Sequence, residues 1–461
     1  MKSTKRTLIL LVALLIVAPA FAEKQAPPPG GTPKDFSLPE KTRFELDNGL
    51  SATLVNYGTL PKVTVSVRVR SGNLNETADQ IWLADLTSDM MEQGTTSKNA
   101  EAVAAAFASM GGELSISTGS DVTSFSTDVL SEFGPDAVRL LAEIVHQPAM
   151  PASELDRLKD DMVRSLSIAM SQPQPQADEK LAALLYGEHP YGRMFPTEEM
   201  IRGYSLENVQ NFHEKNFGAK RTRLYVAGVF DEKAMERAIR DTYGDWAAGP
   251  DPLINVPEMH SGRAVHLVER PGAPQSTLRI ALPVVDPSNE DYTALMVTNM
   301  LLGGFFSSRV TSNIREDKGY TYSPFSQVSS RYRTAYWVQN ADVTTEVTGA
   351  SLKEIFYEID HLRTEPPPSA ELEGVQNYMA GVFVLQNSSR NGIVGRLAFV
   401  DLHGLSDDYL TGYVKRVHAV TPEDVKKMAE KYLRDDEMTI VVVGDRSKIK
   451  GQLEGYGKFA D

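Results

Sequence analysis

Ser205-Leu206-Glu207-Asn208-Val209 opens a segment that runs through Glu214-Lys215 and leads into Arg223–Ala227 and Gly228. Thr421-Pro422-Glu423-Asp424-Val425 opens a second one, through Glu430-Lys431 into Thr439–Val443 and Gly444. Val209 and Val425, Glu214 and Glu430, and Gly228 and Gly444 are each 216 residues apart. In both segments a Ser or Thr able to accept from free helical N–H groups precedes an acidic first turn. The pattern predicts a helix followed by a strand, twice. A further pair lies upstream. Pro151-Ala152-Ser153-Glu154-Leu155 and Pro368-Ser369-Ala370-Glu371-Leu372 are 217 residues apart. Each follows an apolar-periodic helix (Asp136–Val145 and Ser351–Leu362) and starts another. Two matches in the same order at a nearly constant offset identify an internal duplication.

The duplication sets the domain plan. Alternating stretches such as Val63–Val69, Leu114–Thr118, Val122–Val129 and Leu278–Leu282 read as strands half-buried on one face. Strand pairs followed by helix pairs imply an α+β class, with two homologous domains, each an antiparallel sheet with helices packed on it. The domains span residues 41–243 and 263–461. Between them, residues 244–262 carry Gly249-Pro250-Asp251-Pro252 and Pro257 and read as a linker. Residues 23–40, rich in Pro, Gly and Lys, read as a mobile leader.

Composition removes several function classes. The chain has 461 residues, 61 acidic against 47 basic, and a net charge of −14. Neutralising phosphates requires clustered cations, so a nucleic-acid partner is not expected. There is no cysteine, hence no disulfide, thiolate metal site or Cys nucleophile. No two of the eight histidines lie three to five residues apart, so no helical pair of His zinc ligands is available. At the start, Lys2, Lys5 and Arg6 precede an apolar run, Leu8–Val17, and then Ala20-Phe21-Ala22. That order is expected of a signal peptide cleaved after Ala22, with the mature chain periplasmic or secreted. Losing those three cations takes the charge from −14 to −17. No later segment is apolar enough over about 20 residues to span a membrane.

Several fragments, in order, carry a resemblance. They are Glu92-Gln93-Gly94-Thr95, Met110-Gly111-Gly112-Glu113-Leu114 and Gly187-Glu188-His189-Pro190-Tyr191-Gly192 in the first half. In the second half they are Leu302-Gly303-Gly304, Ser307-Ser308-Arg309 and Arg315-Glu316-Asp317-Lys318-Gly319-Tyr320-Thr321-Tyr322. With these the chain resembles the pitrilysin and insulinase family, which includes mitochondrial processing peptidase and short bacterial processing-type peptidases. The resemblance implies two homologous domains arranged as half of a clamshell. It also implies an inverted zinc motif, H-x-x-E-H, with a further Glu ligand downstream. Aligned on Gly94-Thr95, that motif falls on Asp85-Leu86-Thr87-Ser88-Asp89, and the distal ligand falls near Leu158. Asp85 and Asp89 stand where His is needed, and Ser88 stands where the general base is needed. The chain is therefore expected to bind no metal itself, to be inactive alone, and to present Asp85 and Asp89 as a solvated acidic helix face.

The resemblance implies a different role for the second half. In many family members the domain without the zinc motif supplies an Arg and, seven positions later, a Tyr to the zinc site across the chamber; Arg315 and Tyr322 fit that spacing. Residues 307–318 read as a helix ended by Gly319, and Tyr320 onward as a strand. A guanidinium and a phenol suit an oxyanion where water is excluded. The family's substrate-capturing edge strand corresponds to Leu114–Thr118, with Ser115 and Ile116 at the peptide-binding positions. Two readings remain open. The chain is either the non-zinc subunit of a heterodimeric periplasmic zinc metallopeptidase, with Zn on a homologous partner and a peptide as substrate, or an inert scaffold or peptide-binding protein of the same fold.

Overall fold

The computed structural model describes residues 36–460. The expected signal segment 1–22, its cleavage point and leader residues 23–35 lie outside that range. The first half contributes β1 (Lys41–Glu45), β2 (Ser51–Asn56), β3 (Lys62–Val69), β4 (Ser115–Thr118), β5 (Thr123–Leu130) and β6 (Thr222–Gly228). The second contributes β7 (Ala264–Glu269), β8 (Gln275–Val284), β9 (Phe325–Arg331), β10 (Thr334–Thr344), β11 (Thr439–Gly444) and β12 (Lys458–Ala460). Their orders are β1-β2-β6-β3-β5-β4 and β12-β7-β11-β8-β10-β9. Five of the six positions, from β2 to β4 and from β7 to β9 in those orders, match one for one across the duplication. The outermost strand does not: β1 lies antiparallel to β2, whereas β12, from the other end of the chain, lies parallel to β7. The sheets are mainly antiparallel, but β2–β6 and β7–β11 are parallel pairs, which refines the purely antiparallel expectation. Parallel neighbours need a long crossover, and nearly the whole half-domain lies between β2 and β6.

Period-two alternation explains how the strands pack. On β3, Val63, Val65, Val67 and Val69 are fully buried in the first core, while Thr64, Ser66 and Arg68 take the opposite face. On β8, Leu278, Ile280 and Leu282 enter the second core, and Ala281 faces away. Each sheet thus has two faces to cover. The first core closes one with helices that include α1 (Leu83–Glu92) and α2 (Ala152–Ser171).

The other faces are closed by exchange. α3 (Pro173–Tyr186), from the first half, packs Ala177, Leu181 and Leu185 on Ala281, Val441 and Val443 of the second sheet. In the second half, α4 (Ser369–Gln386) precedes α5 (Arg390–His403), which packs Ile393, Val394 and Leu397 on Val55, Tyr225 and Ala227 of the first sheet. Both ends of α3 and α5 differ by 217 residues, the duplication offset. Asp178 of α3 receives Arg279 Nε of β8 at 2.6 Å, and Arg390 of α5 holds Asp128 of β5 through two bonds of 3.0 Å. Neither half buries its own sheet alone. The chain from Ala247 to Gly262 has no regular structure.

One expectation needs correction here. Residues 36–40 of the expected mobile leader are packed: Phe36 meets Phe383 of α4 edge to face at 5.1 Å, and Leu38 packs beside α5. Burial of these two apolar side chains outweighs the local Pro content.

Candidate functional site

α1 begins abruptly. Trp82, just before it, is left-handed at φ 68°, a conformation costly for a bulky residue. Its ring compensates, with Nε1 donating to the Met194 carbonyl at 2.9 Å and the face meeting Phe195 edge-on. Glu76 then caps the helix by accepting the Ala84 N–H at 2.8 Å. Asn73 Nδ2 donates to the same Glu76 oxygen at 3.2 Å and to Asp85 Oδ2 at 2.7 Å. Glu76 is only 7% exposed, and burial pushes its carboxyl up to about 8 despite these donors. Asp85 is also raised by burial, partly offset by Asn73. Asp89 is raised to about 6, by burial first and then by the charges of Asp85 and Glu92.

The face is therefore not the solvated acidic surface expected from sequence. Asp85 and Asp89 are half-buried and Ser88 is buried, because α2 and β4 lie against the helix. Ser88 Oγ donates to the Asp85 carbonyl at 2.9 Å and accepts from Thr118 of β4 at 2.8 Å. Leu158, at the distal position, is a core residue of α2. Zinc needs three or four deprotonated donors converging on one point. Here one acid oxygen is held by an amide, the hydroxyl is engaged on both sides, and the distal position is hydrocarbon. The residues do not fit the metal. Among the described residues, no group of three or more His, Asp or Glu side chains is placed to hold an ion.

The second half is arranged differently. Thr311–Asp317 forms a wide π-helix, a form often found at functional sites, and Gly319 ends it at φ 65°. The Gly319 and Tyr320 N–H groups bond back to the carbonyls of Arg315 and Ile314. Tyr320 does not start a strand: Thr321 makes one bridge to Val343, Tyr322 lies in a bend, and β9 begins at Phe325. That departure from expectation frees Tyr322, which is 80% exposed. Arg315 lies between two rings, 4.2 Å from the Phe306 centroid and 5.0 Å from that of Tyr322, with Glu316 at 3.2 Å. These two cation–π contacts help hold the guanidinium in place. Together these side chains line a cleft of about 400 Å³ with Gly304, Phe305 and Ser323–Phe325. Gly303 lets the preceding segment approach β9 and β10, since a Cβ there would come within 2.6 Å of Ser326 Oγ.

Sequence spacing thus identified two residues that the fold brings together. Phe306 was missed, although its position after Gly303-Gly304, 66% exposed, makes it the floor of the guanidinium. Glu76 and Asn73 were missed because their role depends on meeting α1 across a loop. Ser115 and Ile116 lie on β4, which pairs only with β5 and so forms a sheet edge. Ser115 is exposed and Ile116 half-buried against the first core. The cleft around Arg315 contains no residue of the first half.

Comparison with known proteins agrees with this layout. Residues 53–196 match the family described as insulinase (peptidase family M16), and residues 203–379 match the peptidase M16 inactive domain. The chain is 24% identical over 401 residues to an uncharacterized zinc protease of Bacillus subtilis (strain 168), covering 86% of this chain and 96% of the relative. It is 23% identical over 408 residues to an uncharacterized zinc protease of Mycobacterium bovis, covering 85% and 90%. A solved M16 inactive-domain structure from Pseudomonas fluorescens superposes with a TM-score of 0.81 at 24% identity, covering 88% of this chain and 98% of that one. A protease structure from Helicobacter pylori gives 0.82 at 19% identity, covering 88% and 100%. At these identities the structural likeness establishes the fold.

Proposed function

The chain belongs to the insulinase (M16) peptidase family, and from that premise we propose that it is the non-zinc half of a two-chain peptidase, exported to the periplasm after cleavage at Ala22. The observation that carries this reading is a contrast within the chain: the metal positions are filled by Asp85, Ser88, Asp89 and Leu158, while Arg315 and Tyr322 converge in an open cleft. A homologous partner would bring the zinc and the general base. This chain would bring binding and charge stabilisation.

Peptide hydrolysis develops negative charge on the former carbonyl oxygen. A guanidinium held between two rings and an exposed phenol are donors that need little reorganisation to meet that charge. Arg315 also orients a carbonyl or carboxylate of the peptide through its planar fork. The free edge of β4 at Ser115 and Ile116 offers main-chain donors and acceptors to an extended peptide. A mature charge of −17 favours neutral or basic peptides at encounter.

The test is co-purification from the native periplasm, with zinc counted per complex and peptidase activity assayed. A zinc-bearing homologue at one-to-one is expected. Arg315→Ala should lower kcat/KM of the complex about 100-fold, and Tyr322→Phe about 10-fold, with assembly unchanged. A metal-free protein with no such partner, or a complex indifferent to Arg315→Ala, would overturn this reading in favour of an inert scaffold or peptide-binding protein.

A further inference from the structure

Four arginines stand in a block on the face of the first sheet beneath α5. Arg68 of β3 is registered directly opposite Arg223 of β6. One rung further, the Arg70 N–H bonds to the Arg221 carbonyl at 2.8 Å. Arg70 and Arg221 lie just beyond the strand ends, and all four arginines line one cavity, where their like charges gather. Like charges directly opposite destabilise a sheet unless something compensates them. Among the described residues, none of the four has a carboxylate within ion-pair distance. Asp401 of α5 lines the same space but is already engaged by Tyr225 Oη at 2.6 Å and Arg43 at 2.8 Å, and Asp251 pairs with Lys220 at 3.1 Å. Arg221 is more than nine-tenths buried, with its bonds going to the Asp251 and Asn216 carbonyls and the Asn216 amide oxygen.

The helix leaves room over this block. Gly395 and Ala398 of α5 face it, and with Phe399 they roof a cavity of about 270 Å³ whose floor is the arginines. A Cβ placed on Gly395 meets nothing within 4 Å. In the equivalent seam of the second half, α3 packs apolar side chains directly on Ala281, Val441 and Val443. By register through Tyr225 and Val441, Arg68 and Arg223 correspond to Ala281 and Thr439, over which α3 packs. The cavity is therefore a consequence of the arginines and of the small residues opposite them, not of the shared architecture.

We propose that this cavity binds a small polyanion, a molecule with at least two clustered phosphate or carboxylate charges and an apolar body that meets Phe399. Planar guanidinium forks pair bidentately with either kind of oxyanion. The volume admits a metabolite-sized ligand and excludes a folded partner. Burial depresses the pKa of Arg68, and burial followed by the Arg70 charge depresses that of Arg221 against the opposing charge of Asp251. Because the cavity lies between β3, β6 and α5, a bound anion would tie the second-half helix to the first-half sheet. This assignment is independent of the peptidase reading.

The experiment is isothermal titration and thermal unfolding of the full mature chain with pyrophosphate, inorganic phosphate and citrate, at ionic strength held constant with sodium chloride. Saturable binding of one molecule per chain is expected, with a rise in Tm that follows occupancy. Preference for pyrophosphate over citrate, or the reverse, identifies a phosphate or a polycarboxylate as the ligand class. Arg68→Gln and Arg223→Gln should each weaken binding at least tenfold, whereas Arg139→Gln, on a distant surface helix, should not. Gly395→Leu fills the cavity while keeping all four arginines, and should abolish binding in a folded protein. A Tm response matched by sodium chloride alone, or binding that survives both Gly395→Leu and the arginine variants, would overturn the proposal.

Discussion

The seam under α3 and the seam under α5 are made from equivalent helices and equivalent strands, yet one is sealed and the other is hollow. Under α3 the sheet presents Ala281, Val441 and Val443, and the one buried cation, Arg279, is answered by Asp178. Under α5 it presents four arginines, with Asp401 committed elsewhere. A similar contrast separates the two candidate sites. The face of α1 is closed by Asn73, Thr118 and α2, whereas Arg315 lies in an open cleft on a π-helix. Duplication has preserved the architecture twice over, and a handful of substitutions has decided which copy is filled and which is left open.

The most severe way to break the comparison is to put an arginine into the sealed seam. Ala281 is fully buried, so Ala281→Arg buries a charge with no partner and should cost about 4 kcal/mol, read as a large drop in urea midpoint or loss of soluble protein. Next in size is a pH effect at the closed site. Glu76 titrates near 8 when folded, against an ordinary value of 4.5. The folded state thus holds a proton that the unfolded chain releases, so this group's contribution to stability falls as pH rises through that window. Glu76→Gln keeps the acceptor for Ala84 and cannot ionise. Urea unfolding across about pH 5 to 8 should show a flatter profile for the variant, and greater stability than wild type at the alkaline end.

Removing the answering acid of the sealed seam is the third test. Asp178→Ala strands Arg279, which is 6% exposed, and should cost about 2 kcal/mol, less than a fully buried pair because Asp178 itself is half-exposed. The smallest effect is the most discriminating. Arg223→Thr gives the hollow seam the residue of its counterpart and removes one like-charge pair. It should raise stability by about 0.5 kcal/mol in chloride. In a buffer containing the bound polyanion the order should reverse, with wild type the more stable.

Much of the fold was legible because it rests on local chemistry. Ser205 and Thr421 each cap their helix, and each donates its own main-chain N–H back to a side-chain oxygen, of Asn208 and Asp424 respectively, as the paired motifs implied. The alternation on β3, β5 and β8 gave the strands within one or two residues, save that β8 extends past both ends of its apolar stretch. The Arg315 and Tyr322 pair was legible only through the family spacing, and the strand expected at Tyr320 was wrong because the glycine stop and the bridge at Thr321 release the chain into a bend. The acidic face was misread because two carboxylates four residues apart look the same in sequence whether water or another helix lies opposite them.

Spacing, capping and period-two alternation by themselves determined that this chain is a duplicated α+β protein, because those signals act over one turn or one strand. Through the family resemblance, the sequence also put Asp85, Ser88 and Asp89 where zinc's ligands and base are expected, because donor chemistry belongs to the residue. Only the tertiary structure decided that α3 and α5 exchange sheets, that burial raises the Glu76 carboxyl beside α1, and that Arg68, Arg70, Arg221 and Arg223 line one cavity. Those outcomes depend on which surfaces remain to be covered after each half has folded, and residues some 150 positions apart in the chain become neighbours only when strands pair in register.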